Sequence, residues 1–186
     1  MHKTACFDNR NCSGFTLIEL MVVSAIIITL TVFTIPAFTR FSSRQELRRA
    51  AEGLRTDIRT VQNRAVSGID REVGGVPCYW WGMKLTEGES DYQFVRSYDE
   101  DYPEDDVEVV RKFSLAGKSE IFIPGGDSDL TIWYKMISGE VGGISGDRTI
   151  VVRKHGASCT SQDDPSQDDS SAYCRDIVVS EGGKVK

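Results

Sequence analysis

The sequence predicts an α+β chain: a long N-terminal α-helix, apolar in its first half and amphipathic in its second, packed on an antiparallel β-sheet domain of one sheet or two. Three observations predict it. After Glu19 an apolar run meets no other charge until Arg40. From Arg44 to Ser67 apolar residues recur every three or four positions. Beyond Gly68 the chain breaks into short segments rich in β-branched and aromatic residues, bounded by Gly, Asp, Ser and Pro.

Residues 20–39 supply about the 20 apolar or neutral residues needed to cross a hydrocarbon core of roughly 30 Å, which predicts a single membrane span over 15–39. A secretory signal would close its apolar stretch with an A-x-A-like cleavage site after a basic start. Here the polar segment 1–14, with Lys3 and Arg10 against Asp8, comes first, and the apolar run follows Gly14 directly. A cleavage would therefore fall on the cytoplasmic side of the helix. An acid at the head of such a span costs several kcal/mol unless it is paired, so Glu19 requires something to neutralise it. Pro36 lacks the N–H that a helix interior uses, which predicts a kink there.

The helix continues through 40–67 with Leu47, Ala51, Leu54, Ile58, Val61 and Ala65 on one stripe. Arg48, Arg49, Arg55, Arg59 and Arg64 stand between them and read as a solvated face with i,i+4 pairs such as Arg48 with Glu52. As one helix, 15–67 would be about 80 Å long, with Pro36 and Gly53 as the places to bend.

Gly68 and the cluster Gly74, Gly75, Val76, Pro77 end the helix and open the β-rich domain, 68–186. Strands are predicted at 78–85, 92–98, 107–115, 120–123, 130–136, 149–154 and 176–180. Trp80 and Trp81, adjacent in one strand, must point to opposite faces, so one is expected in the core and the other exposed or at a subunit contact. The glycine-rich stretch 139–146 reads as a flexible loop without a phosphate-binding pattern. Two acidic stretches, 99–106 and 163–169, offer oxygen ligands for calcium but lack the EF-hand spacing, and read as solvated loops. No metal or cofactor is expected.

Of five cysteines, Cys6 and Cys12 precede Gly14, which leaves Cys78, Cys159 and Cys174. Closing the polar, acidic segment between Cys159 and Cys174 would stabilise the domain by about 3 kcal/mol in the loop-entropy model. That pair is the expected disulfide, with Cys78 free and buried, in an exported domain where such a bond persists. The sequence leaves the other two pairings open.

Lys3, Arg10 and Asp8 lie in 1–14, so the remainder carries 20 basic and 27 acidic side chains, a balance of −7. A diffuse nucleic-acid surface would be basic. Removing the leader and the span leaves roughly 120 residues for one soluble core. An enzyme reading lacks parts. Beyond 1–14 the sole histidine is His155, and no G-x-S-x-G, H-E-x-x-H or Walker A pattern accompanies it. Gly117-Lys118-Ser119 lacks the first glycine of a P-loop.

The ordered hexapeptide Gly14-Phe15-Thr16-Leu17-Ile18-Glu19, continued by Leu20-Met21-Val22-Val23, resembles the prepilin signature of the type IV pilins and pseudopilins. The resemblance covers the first quarter of the chain. It implies a pilin-like fold, a leader 1–14 removed by prepilin peptidase between Gly14 and Phe15, and methylation of the new amino terminus of Phe15. It also implies that Glu19 pairs with the terminal amine of a neighbouring subunit during filament assembly, and that Pro36 is the family's helix-kinking proline. Partners so implied are the peptidase, other pilin or pseudopilin subunits, the inner-membrane assembly machinery, and membrane lipid before assembly. The location implied is single-pass in the inner membrane with the domain outside the cytoplasm, then the filament.

The helix end Arg55 to Val66, the closing Asp176-Ile177-Val178-Val179 and the tail with Gly183, Lys184 and Val185 resemble GspH/FimT-type minor pilins. Those serve in type II secretion filaments or type IV pili, and some bind DNA through basic residues near the carboxyl end. Here only Lys184 and Lys186 stand in that tail, and the acidic insertion between Cys159 and Cys174 departs from a minimal member. Display of a binding module for adhesion or DNA uptake, through Trp80 or Trp81, the arginine-rich helix or these lysines, is the alternative function.

Overall fold

The computed structural model describes residues 15–101, 103, 107–159 and 173–186, with side chains at 33–37 and 40 left out. The leader with Gly14, Cys6 and Cys12, the Pro36 side chain, the stretch 163–169 and most of 102–106 lie outside the described residues. The chain divides into two compact units, one ending at Phe41 and one running Ser42–Lys186.

Helix α1 (Leu17–Ser67) begins in the first unit. There its side chains are exposed all round, Phe15, Leu17 and Ile18 among them. The few polar residues satisfy themselves within the helix: the hydroxyls of Ser24, Thr29 and Thr31 donate to the carbonyls of Met21, Ile26 and Ile27 at 2.9, 2.8 and 2.7 Å. Among the described residues no helix is long and apolar enough to cross a membrane; the segment 20–39 includes the positions whose side chains are not described.

In the second unit the helix buries Leu47, Ala50, Leu54, Ile58, Val61 and Ala65, with Ala51 partly buried beside them. Among the described residues ten strands follow: β1 (Glu72–Val73), β2 (Val76–Pro77), β3 (Trp80–Thr86), β4 (Asp91–Ser97), β5 (Val107–Ser114), β6 (Ser119–Phe122), β7 (Asp129–Lys135), β8 (Val141–Gly142), β9 (Arg148–Lys154) and β10 (Cys174–Val179). They pair antiparallel in a β1-β2 hairpin, a sheet ordered β10-β9-β6 and a sheet ordered β5-β4-β3-β7-β8. Both larger sheets feed one core with the helix stripe. Trp81, Met83, Phe94, Ile132 and Tyr134 come from the larger sheet, and Ile121, Ile150, Val152 and Ile177 from the smaller. This is the α+β architecture with more than one sheet. On the edge strand β5, a bulge opposite Phe94 and Val95 and the charges of Arg111 and Lys112 blunt an otherwise open ladder.

Within the cluster that opens the β-rich domain, Val73 and Val76 pair across Gly74 and Gly75 as a hairpin. The structure corrects two expectations. The stretch 139–146 contains β8, which pairs with Trp133 and Tyr134 on β7. Trp80 and Trp81 do face opposite sides of the sheet, but both are buried. On the side away from the helix, Trp80 packs with Val95, Trp133 and Tyr79 in a second small core. Glycines make that core possible. A Cβ on Gly82 would lie 2.5 Å from the Trp133 ring, and one on Gly142 would lie 3.1 Å from the Trp80 ring. Both rings thus find cover without a second layer.

Cys159 and Cys174 form a disulfide with Cα atoms 6.2 Å apart, and Cys78 is free and buried. The Tyr92 hydroxyl donates to Asp57 of the helix, tying α1 to the sheet. Burial, and then the Asp57 carboxylate, push the Tyr92 phenol well above its ordinary value.

Gly143 should be irreplaceable. It has φ +82°, and a Cβ there would lie 2.4 Å from the backbone oxygen of Thr131, whereas Gly68 has φ +64° and open space. Gly143→Ala should cost about 1–3 kcal/mol more than Gly68→Ala, read as the difference in denaturant midpoint followed by tryptophan fluorescence. Equal losses would mean that the contact with Thr131 is not what excludes a side chain.

Candidate assembly segment

At the head of α1, Thr16 caps the helix. The Glu19 N–H donates to the Thr16 hydroxyl at 3.3 Å and lies 3.1 Å from its carbonyl oxygen, and the Leu20 N–H reaches that carbonyl at 3.2 Å. Thr16 and Glu19 thus stand as N-cap and N3 of the S/T-x-x-E pattern. A carboxylate in the first turn is favoured by the partial positive charge of the exposed N–H groups. Sequence reasoning overlooked Thr16 although the T-x-x-E spacing signals it. Phe15 and Glu19 are exposed, and Glu19 has no ion-pair partner among the described residues.

The arginine face divides. Arg48 pairs with Glu52 at 2.8 Å on the exposed surface. The Arg64 guanidinium lies 5.3 Å from the Trp81 ring centre, and Arg59 donates to the Val185 carbonyl at 3.0 Å, holding the tail strand-like against β10, where Val179 bridges Val185. Gly183 fits tightly, since a Cβ there would lie 2.8 Å from Gln62 and 2.9 Å from Val141.

His155 is well exposed, yet its Nδ1 lies 2.5 Å from Glu120 Oε2. Arg153 Nε donates to the other carboxylate oxygen at 2.6 Å. Sequence reading missed this buried acid because its partners lie 33 and 35 residues away and meet it only across the β6-β9 ladder. Among the described residues no group of three His, Cys, Asp or Glu is placed to hold a metal.

Residues 9–35 match the description of the prokaryotic N-terminal methylation motif, which spans the Gly14 to Glu19 hexapeptide and the apolar run after it. The match lies in the N-terminal part of the chain and leaves the β-rich domain outside it. A crystal structure of the type IV minor pilin FimU of Pseudomonas aeruginosa matches at 15% identity with a TM-score of 0.48, over 78% of this chain and 90% of that one. No curated protein matches the sequence.

Glu120 supplies a pH test of the folded domain. Burial opposes its charge, but the hydrogen bonds and charges of Arg153 and His155 outweigh that and hold the carboxyl below its ordinary value. A carboxyl depressed in the folded state stabilises the fold fully above its unfolded value of about 4.3, and loses that contribution as pH falls through the folded value. Glu120→Gln should therefore lower the unfolding midpoint at pH 7 and flatten its dependence on pH between neutrality and acid. An identical acid slope in the variant would assign the slope to other carboxylates.

Proposed function

We propose that this chain belongs to the type IV pilin and pseudopilin family and is a minor structural subunit of GspH/FimT type, in a type IV pilus or a type II secretion filament. The observation that carries the reading is the methylation motif at 9–35 combined with a lone acid, Glu19, at the head of an apolar helix. Prepilin peptidase removes 1–14 between Gly14 and Phe15 and the new Phe15 amine is methylated. Segment 15–39 lies in the inner membrane before assembly, and 40–67 carries the amphipathic half of the helix into a domain, 68–186, outside the cytoplasm. Pro36 bends the helix between the two. The back-bonded hydroxyls of Ser24, Thr29 and Thr31 support residence in lipid, where a polar group must find its partner inside the helix. The disulfide supports an oxidising compartment for the domain.

In the filament, Glu19 accepts the methylated Phe15 amine of a neighbouring subunit. The apolar helices pack together in the core, and the inner-membrane machinery lifts each subunit out of lipid. Glu19→Gln should leave processing intact and sharply reduce filament incorporation; normal incorporation would remove the pairing role. Replacing Gly14 with a bulky residue should block cleavage, so that intact mass stays at the uncut value. A wild-type chain of the same mass in cells with and without prepilin peptidase would overturn the reading as a whole.

A further inference from the structure

Charge is unevenly shared along this chain. Residues 40–67 carry seven arginines against Glu46, Glu52 and Asp57, a balance of +4, whereas 68–186 carry 13 basic and 23 acidic side chains, a balance of −10. The helix also divides its charges by side. At about 100° per residue, Arg44, Arg48, Arg55 and Arg59 fall within about 60° of arc on one flank of the buried stripe, and Glu46 and Asp57 fall on the other. Between 64 and 48 the sheets make less use of the arginines the nearer these stand to the apolar run. Arg64 covers the Trp81 ring and Arg59 holds the Val185 carbonyl. Arg48 pairs with Glu52 on its own helix, and Arg55 makes no ion pair with a described residue. Beside this flank lies a cleft of about 340 Å³, with Arg48, Arg55 and Arg175 of β10 around it, Ala51 and Ile177 as its apolar lining, and Glu52 and Asp176 as its acids. Arg175 is exposed and likewise makes no ion pair with a described residue. Two guanidinium groups are thus left for an anion from outside.

We propose that this flank and its cleft bind the phosphate of an anionic phospholipid at the membrane surface, before the chain enters a filament. The site rests on the reading of 15–39 as a membrane segment. Arg44 and Arg48 follow Thr39 by about 8 and 14 Å along a helix, and the headgroup layer extends about 5–7 Å beyond the hydrocarbon on each side. Helical side chains lean towards the N-terminus, which here is back towards the lipid. Arg44 therefore stands at the edge of the headgroups, and the arginines beyond it meet phosphates when this flank inclines to the surface. The basic residues of 40–67 are all arginine, whose planar fork takes two phosphate oxygens at once, and Ala51 and Ile177 offer an apolar wall to the glycerol behind the phosphate. The acidic domain is repelled by an anionic surface, so attraction confined to one flank also sets which side of the domain turns to the lipid. A nucleic acid fits less well, because a long polyanion must run from a short basic flank onto a domain of balance −10.

For the test, the full-length chain in mild detergent is given equal amounts of phosphatidylglycerol and phosphatidylcholine with identical acyl chains, and the lipid it retains is read by native mass spectrometry. Both lipids carry a phosphate, but only the first has a net negative charge. The wild type should prefer phosphatidylglycerol. Arg55→Gln with Arg175→Gln should lower that preference about 25-fold, about fivefold for each arginine near a charged surface. Lys112→Gln with Lys118→Gln, which removes the same charge from the β-rich domain, should leave it unchanged, and all three chains should unfold at the same midpoint. A preference that survives loss of the arginine pair, or that falls equally with either pair, would overturn the site. So would a duplex DNA probe released by the arginine variant while lipid preference holds, which would give the cleft to nucleic acid. Equal retention of the two lipids by the wild type overturns the site and leaves the span; retention of neither overturns the span as well. The assay needs no filament, and failure of the filament reading shows instead in Glu19→Gln.

Discussion

The burial of one helix stripe is the constraint on which the rest of the domain depends. Leu54, Ile58, Val61 and Ala65 are wholly removed from solvent, and truncating a large side chain in such a position costs about 2–5 kcal/mol. Because two sheets share that stripe, each strand has its register fixed by which residues must face the helix; a slip of one residue would turn Met83 and Leu85 outward. The polar link from Tyr92 to Asp57 sits at the edge of the same contact and adds direction to what burial alone leaves free to slide. The other side of the five-stranded sheet is then left with no helix to cover it. Its tryptophans are covered by packing against each other over glycines.

Where the physics is local and periodic, the chain could be read directly. The stripe from Leu47 to Ala65 and the seven longer strands were legible to within two residues, because burial on one face imposes periods of 3.6 and 2 that survive in the sequence. The two-residue strands β1, β2 and β8 carry no period and were invisible. Alternation placed Trp80 and Trp81 on opposite faces correctly. It could not show that Gly82, Gly142 and Gly143 leave a slot for the second pair of rings, since that slot joins strands 50 to 60 residues apart. The N-terminal methylation motif was legible as an ordered hexapeptide, while Glu120 was not, because nothing near it in sequence announces Arg153 or His155 as its partners.

A single helix here is apolar in one half and amphipathic in the other, and its polar atoms are handled differently in each. In the apolar half the hydroxyls turn back on their own carbonyls, so the side chains ask nothing of their surroundings. In the amphipathic half the arginines reach outward to Glu52, to the Trp81 ring or to the Val185 carbonyl, and the apolar stripe goes to the core. Glu19 fits neither pattern. Its own N–H is taken by Thr16, the helix end offers its carboxylate only partial charge, and no described cation approaches it. A group whose charge the subunit leaves uncompensated favours whichever state brings it a cation. In an apolar surrounding that preference is worth several kcal/mol, more than an exposed ion pair contributes to folding. Under the proposed function the free energy associated with Glu19 acts on association between chains, while the burial that holds the domain begins at Leu47, further along the same helix.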